Sequence, residues 1–246
     1  MELRRILFLD IETVSGQKAF EDLSPRMQTL WQKKATRFIP KDQKDLPKEE
    51  IDWPSVYQNR AAILAEFGKI ICISVGFMVP NSDGEWGMRI KSFSGSDELD
   101  VLSRFADLIK SSFEDRTFAA VCGHNVKEFD IPYICRRMLI HQLELPPAFQ
   151  LQGKKPWELN HILDTMELWK FGDYKHYTSL DLLAALFDIP SPKEDIDGSQ
   201  VGTVYYDDKD LDRIARYCER DVFVTAAVYL NLTGKGKLDE KHVTYA

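Results

Sequence analysis

Cysteine is scarce: four residues among 246, at positions 72, 122, 135 and 218. None forms a CxxC pair or joins a histidine at zinc-ligand spacing, so neither a disulfide framework nor a structural zinc site is expected, and reduced intracellular thiols are. The 13 glycines and 11 prolines are too few for a collagen-like or low-complexity chain. Long apolar runs are missing as well. Ile6-Leu7-Phe8-Leu9 is cut short by Asp10, too early for a signal peptide and far too early for a membrane span, so a cytoplasmic chain without a membrane role is expected. The net charge of −7 comes without any block of one sign, and taken alone it does not point to nucleic acid. What remains is ordinary globular composition, 44% hydrophobic and 29% charged, at a length suited to one domain over residues 1–246.

The apolar stretch RILFLDIE, residues 5–12, reads as a buried strand ending in two acids. From about 13 to 68 four prolines and helical apolar spacing indicate a helical insertion with a loop. Seven basic and two acidic residues between Arg26 and Lys48 give it a local excess of five positive charges. Either this is a solvated helical face, or it contacts the phosphates of a single strand with Trp31, Phe38 or Trp53 stacking on bases.

Residues 69–79 and 86–94 read as two strands joined through Pro80-Asn81-Ser82-Asp83-Gly84, an antiparallel hairpin. An amphipathic helix follows over Ser96–Phe113, with Ser96 as its cap. Further strands are expected at Thr117–Cys122 and His161–Leu163. Further helices are expected over Asp130–His141, 165–171, 178–187 and Asp207–Leu232. Three early strands, then strands alternating with helices, indicate one α/β domain with a mixed sheet.

Three groups of residues carry candidate chemistry. Asp10 and Glu12, two apart on a strand, share one face, where they either meet a cation or emerge into solvent. Asp130, after Gly123-His124-Asn125-Val126-Lys127-Glu128-Phe129, either caps a helix or sits at a strand end beside Asp10. Tyr217 and Asp221, four apart in the last helix, stack on one helical face, as a buried phenol with its acid or as part of a site. Asp164 follows a short strand and Asp181 opens a helix, and both read as caps or supporting partners rather than metal ligands. None of the five histidines is assigned a ligand role.

Taken in order, DxE on a first strand, NxxxFD after a later one and YxxxD in a late helix resemble the DEDD exonucleases. Arg216 stands where the histidine subclass would have its histidine, which leaves the tyrosine subclass, DEDDy. The segments FLDIET, GKIICISVGF, GHNVKEFDIPYI, LDTMEL, YTSLDLLAALFDIP and YCERDVFVTAAVYL look like the 3′-to-5′ exonuclease domain of family B DNA polymerases. DIDGSQV looks like a group of stand-alone proteins related to it. The resemblance implies a DnaQ-like, ribonuclease H-like fold: three antiparallel strands, then parallel ones, flanked by helices.

It also implies two divalent cations, Mg²⁺ or Mn²⁺, held by carboxylates. Asp10 would bridge them, Glu12 and Asp221 would hold the one binding the attacking water, and Asp130 would anchor the other. Tyr217 would orient the water, and Thr13, Asn125 and Phe129 would lie near the terminal nucleotide. Phe129 reads equally as a core aromatic. The implied activity is 3′-to-5′ exonuclease action on DNA, on single-stranded 3′ ends, releasing nucleoside 5′-monophosphates. RNA as substrate, and a non-catalytic nucleic-acid-binding module of the same fold, are the competing readings. A polymerase or repair partner is left unnamed.

Overall fold

β1 (Ile6–Ser15) lies inside a six-stranded sheet in the computed structural model, which describes residues 2–80, 85–173, 177–190 and 195–246. It pairs antiparallel with β2 (Gly68–Pro80) and parallel with β4 (Ala120–Gly123). β3 (Trp86–Ser94) runs antiparallel to β2, and β5 (Ile162–Asp164) parallel to β4. The expected mixed sheet is therefore present. Residues 81–84, most of the expected hairpin turn, lie outside the described residues.

Both faces of β1 are covered, which accounts for its unbroken apolar start. Leu7, Leu9 and Ile11 join the core formed with α3 (Glu98–Glu114) and α4 (Asp130–Ile140). Ile6 and Phe8 join the core on the other face, under α6 (Leu180–Leu186) and α8 (Leu211–Thr233). The alternation puts Asp10 and Glu12 on the α8 side. β1 does not end at these acids, as the apolar pattern suggests, but continues through Ser15. Glu12 pairs with Cys72 and Thr13 with Ile70, so Ile71 is the extra residue of a bulge beside the acid pair.

The segment between β1 and β2 contains α1 (Pro25–Lys34), capped by Ser24, and α2 (Trp53–Arg60), capped by Asp52, with short 3₁₀ turns between them. It has a core of its own. Trp31 stands edge-on to Tyr57 and Phe67 at 5.1 and 5.0 Å, and the Trp53 indole donates to the Lys48 carbonyl at 2.9 Å. Trp31 and Trp53 are thus buried and not available to stack on bases, whereas Phe38 is half-buried.

The helix expected over 165–171 is present, whereas other boundaries depart from expectation. Asp97, not Ser96, caps α3, its carboxylate accepting from the N–H groups of Leu99 and Asp100; a carboxylate also suits the positive end of a helix. α5 (Thr165–Lys170) and α7 (Val201–Thr203) are short, and α7 passes into a π-helical turn at Val204–Asp208. Lys209, left-handed at φ 56°, breaks the helix expected from 207, so α8 starts at Leu211 behind its Asp210 cap. An unforeseen strand, β6 (Leu238–Tyr245), lies parallel to β3 at the sheet edge. Its sequence LDEKHVTY is mostly polar and exposed, as suits an edge strand, and carries no apolar run to announce it. Among the described residues no helix is long and apolar enough to cross a membrane.

Candidate active site

The strand period fixes the first two acids and the helix period the last two groups. On α8, Ile214, Cys218 and Val222 form the buried stripe that faces the sheet, and Tyr217 and Asp221 flank it one turn apart. Asp10, Glu12 and Cys218 each offer one ligand atom, and these atoms all lie within 4.8 Å of one another, a group that could hold a metal ion. The Cys218 thiol donates to Asp10 Oδ2 at 3.4 Å and reaches the Asp10 carbonyl at 3.5 Å. Burial, more than the neighbouring charges, pushes this thiol well above its ordinary pKa, so it stays protonated.

Electrostatics tie the four acids together. Burial raises the Asp10 carboxyl well above the ordinary range, and the charges of Asp221, Asp130 and Glu12 raise it further. Asp130 is raised to about 7, first by burial and also by Asp164 and Asp221, while its own N–H and that of Ile11 on β1 pull the other way. Asp130 is the first residue of α4 and Phe129 holds the cap position, so the simple capping role is not the one Asp130 takes. The carboxyl lies against β1, beside the acid pair. Carboxylates crowded so that each raises another's pKa are poised to share a cation.

The loop leading to Asp130 is held by Asp164. Its Oδ1 accepts from the N–H groups of Asn125 and Met166, both at 2.9 Å, and its Oδ2 from Lys127 N–H at 3.1 Å. Asp164 is thus the cap of α5 and also the clamp of the 125–127 turn. His124 ties the same turn to the 178 segment: Nε2 donates to the Thr178 carbonyl at 2.8 Å, and Nδ1 lies 2.9 Å from the Thr165 hydroxyl. Burial lowers its pKa, so it is a neutral structural group.

Asn125 adopts φ 59°, a left-handed conformation that asparagine tolerates. Its Oδ1 is buried and finds no partner among the described residues. Phe129 is half-buried and packs on the core and on Tyr133, the ring centroids 5.5 Å apart. The Thr13 hydroxyl donates to the Ala62 carbonyl at 2.9 Å and also meets the Tyr133 hydroxyl.

Tyr217 stands between two cavities. One, of 220 Å³, is lined by Tyr177, Ser179, Asp181, Tyr217 and Asp221. The other, of 510 Å³, is lined by Arg213, Arg216 and Arg220 together with Asp195, Glu219 and Glu240. The DIDGSQV segment closes on Tyr217 from outside, with Ile196 buried in the same cluster and Gly198 close to the phenol oxygen. Sequence reasoning missed Cys218 and Tyr177, whereas Asp164 takes the capping and supporting role expected of it. Cys218 was detectable from its place between Ile214 and Val222 on the buried stripe; Tyr177 carries no comparable signal.

Residues 63–245 match a family described as predicted 3′-5′ exonucleases related to the exonuclease domain of PolB. That span holds Asp130, Tyr217 and Asp221, and Asp10 and Glu12 precede it. No curated protein matches the sequence. Among solved structures, the family B DNA polymerase from the hyperthermophilic archaeon Pyrobaculum calidifontis is similar, with a TM-score of 0.51 at 15% identity, over 92% of this chain and 24% of the polymerase. The chain thus corresponds to about a quarter of that polymerase, and the likeness is one of fold. On the match over residues 63–245, the chain belongs to the family of predicted 3′-5′ exonucleases related to the PolB exonuclease domain.

Proposed function

We propose that the protein is a metal-dependent 3′-to-5′ exonuclease of the DEDDy type that hydrolyses DNA from single-stranded 3′ ends and releases nucleoside 5′-monophosphates. The observation that carries this reading is the gathering of Asp10 and Glu12 from β1, Asp130 from α4 and Asp221 from α8 into one electrostatically coupled group beside Tyr217. The donors fit Mg²⁺ or Mn²⁺: four carboxylates supply hard oxygens, the Cys218 sulfur belongs to a protonated thiol engaged as a donor, and Cys72, across the strand from Glu12, is hydrogen-bonded to Cys218. Two such ions, when bound, would polarise the phosphoryl group and lower the pKa of the attacking water.

The chain's own residues supply position and charge. Asp10, which accepts from the Cys218 thiol and feels the charges of Asp221, Asp130 and Glu12, would serve both ions. Asp221 and Glu12 would hold the ion that binds the attacking water, and Asp130 would hold the other. The Tyr217 hydroxyl, one helical turn from Asp221, orients the attacking water; a phenol with a reference pKa of about 10 does this as a hydrogen-bonding group rather than as a strong base. In the net reaction the water oxygen bonds to phosphorus, the bond from phosphorus to the 3′ oxygen of the preceding nucleotide breaks, and that oxygen takes up a proton. The unpartnered Asn125 Oδ1 supports a contact with the terminal nucleotide, and Phe129, half-buried against the core, would meet it too.

Incubating DNA and RNA oligonucleotides with Mg²⁺, Mn²⁺ or a chelator tests the reading. Release of nucleoside 5′-monophosphates from DNA with either metal, and none with chelator, is expected. Cleavage of RNA alone would replace the substrate, and cleavage of neither, with binding retained, would favour a non-catalytic module.

A further inference from the structure

With Trp31 and Trp53 buried, the basic segment after β1 keeps one aromatic at its surface. Phe38, the last residue of the 3₁₀ turn Ala35–Phe38, has the Arg37 guanidinium 4.7 Å from its ring centroid and the Arg60 guanidinium, from the end of α2, 5.8 Å away. Both arginines are exposed, and neither makes an ion pair among the described residues. Two guanidinium groups on one ring, without a carboxylate between them, are held in place by cation–π attraction and remain open to an anion. The surroundings add to this, since Lys33, Lys41 and Lys44 are also exposed in the segment with five excess positive charges.

The position of the cluster is equally specific. Two residues beyond Arg60, the Ala62 carbonyl accepts from the hydroxyls of Thr13 (2.9 Å) and Tyr133 (2.8 Å), and Thr13 directly follows Glu12. The Gly16 N–H, just after β1, donates to the Phe67 carbonyl, just before β2, at 2.7 Å, which joins the two ends of the insertion. The paired arginines therefore sit on a segment bolted to the metal-site strand.

We infer that Arg37, Phe38 and Arg60 form a subsite for the phosphates of a single-stranded polynucleotide upstream of the scissile bond. Arg37 and Arg60 each take a phosphate, and Phe38 keeps the two guanidinium groups at a fixed spacing. The inference deepens the exonuclease reading and rests on it for the direction of the strand.

The test is equilibrium binding of fluorescent oligothymidylates, 20 and 4 nucleotides long, in chelator over a salt series. It compares the wild type with Arg37→Gln/Arg60→Gln and with Lys110→Gln/Lys154→Gln, which removes the same charge elsewhere. Each phosphate contact on a single strand contributes about 0.7 to the slope of log affinity against log salt, so loss of two should lower it by about 1.4. The expected result is that drop, with about tenfold weaker binding of the 20-mer, a reduced preference for the 20-mer over the 4-mer, and no such change in the lysine control. Oligouridylates in parallel show whether RNA uses the same subsite. Wild-type affinity and slope in the arginine variant, or an equal loss in the lysine control, would overturn the subsite. Cleavage of the 20-mer by the wild type in Mg²⁺ is read separately. Cleavage with an unaffected variant leaves the exonuclease reading standing without the subsite, and the expected binding loss without cleavage does the reverse. A wild type that neither binds nor cleaves removes both.

Discussion

The Cys218 thiol and the Asp10 carboxylate lie 3.4 Å apart, with the thiol as donor, so a buried cysteine on the last helix orients the acid expected to serve both cations. Cys218→Val keeps a small apolar side chain and removes the donor. Outer partners of metal ligands typically matter about 10- to 100-fold. A loss of that size in Mg²⁺ affinity, read by activity titration, is expected, with Cys218→Ser retaining more; equal Mg²⁺ dependence in all three proteins would show that the contact is passive.

Tyr217 lines the same cavity as Asp221 but offers no carboxylate to a metal, so its removal should separate turnover from metal binding. Tyr217→Phe keeps the ring and loses the hydroxyl. We expect kcat to fall about 100-fold, the lower end for a positioned proton-handling group, with the Mg²⁺ midpoint unchanged. A fully active variant would take Tyr217 out of the mechanism.

Asp164 supports three backbone N–H groups, two of them in the turn before Asp130. Asp164→Ala strands these donors and removes a helix cap, a combined loss of about 2–4 kcal/mol on the usual costs of an unmet buried donor and a lost cap. Urea unfolding should show it. Activity per folded molecule should fall as well, because the clamp sets the approach to Asp130.

Glu98 gives a pH dependence whose sign can be worked out. Burial alone would raise its pKa, but hydrogen bonds from Arg137, the Ile70 N–H and His141 outweigh burial and hold it below the ordinary carboxylate range. A depressed folded pKa stabilises the protein above the unfolded value, about 4.3, and that stability is lost as the pH falls through the folded pKa. Arg137 also donates to the Ala65 carbonyl, so this ion pair pins the end of the insertion. Glu98→Gln should cost about 3 kcal/mol at pH 7, the scale of breaking a buried pair, and the difference from wild type should shrink towards pH 3. A difference independent of pH would contradict the charge-based account.

Most of this architecture was written in local patterns. The apolar start of β1 and the stripe of α3 each bury a face that the sequence shows directly, and the i, i+4 spacing of Tyr217 and Asp221 sets them on one side of α8. β6 was not legible, because an edge strand needs no apolar run and takes its place from pairing with β3. The acids were legible as types and spacings, but their meeting was not: Asp130 reaches Asp10 only because β4 lies parallel to β1, a long-range pairing. The tryptophans misled for the opposite reason. Residues that look free in a polar segment are buried there because the insertion builds its own small core.

Removal of nucleotides from a 3′ end at these carboxylates is tested most directly by one measurement. Single-stranded DNA labelled at the 5′ end is incubated in Mg²⁺ with wild type and with Asp10→Ala, and the products are resolved by length. A ladder shortening from the 3′ end with wild type, and intact DNA with a folded Asp10→Ala variant, is the predicted result. Intact DNA with wild type, a direct release of the 5′ label, or an unchanged ladder with Asp10→Ala would contradict it.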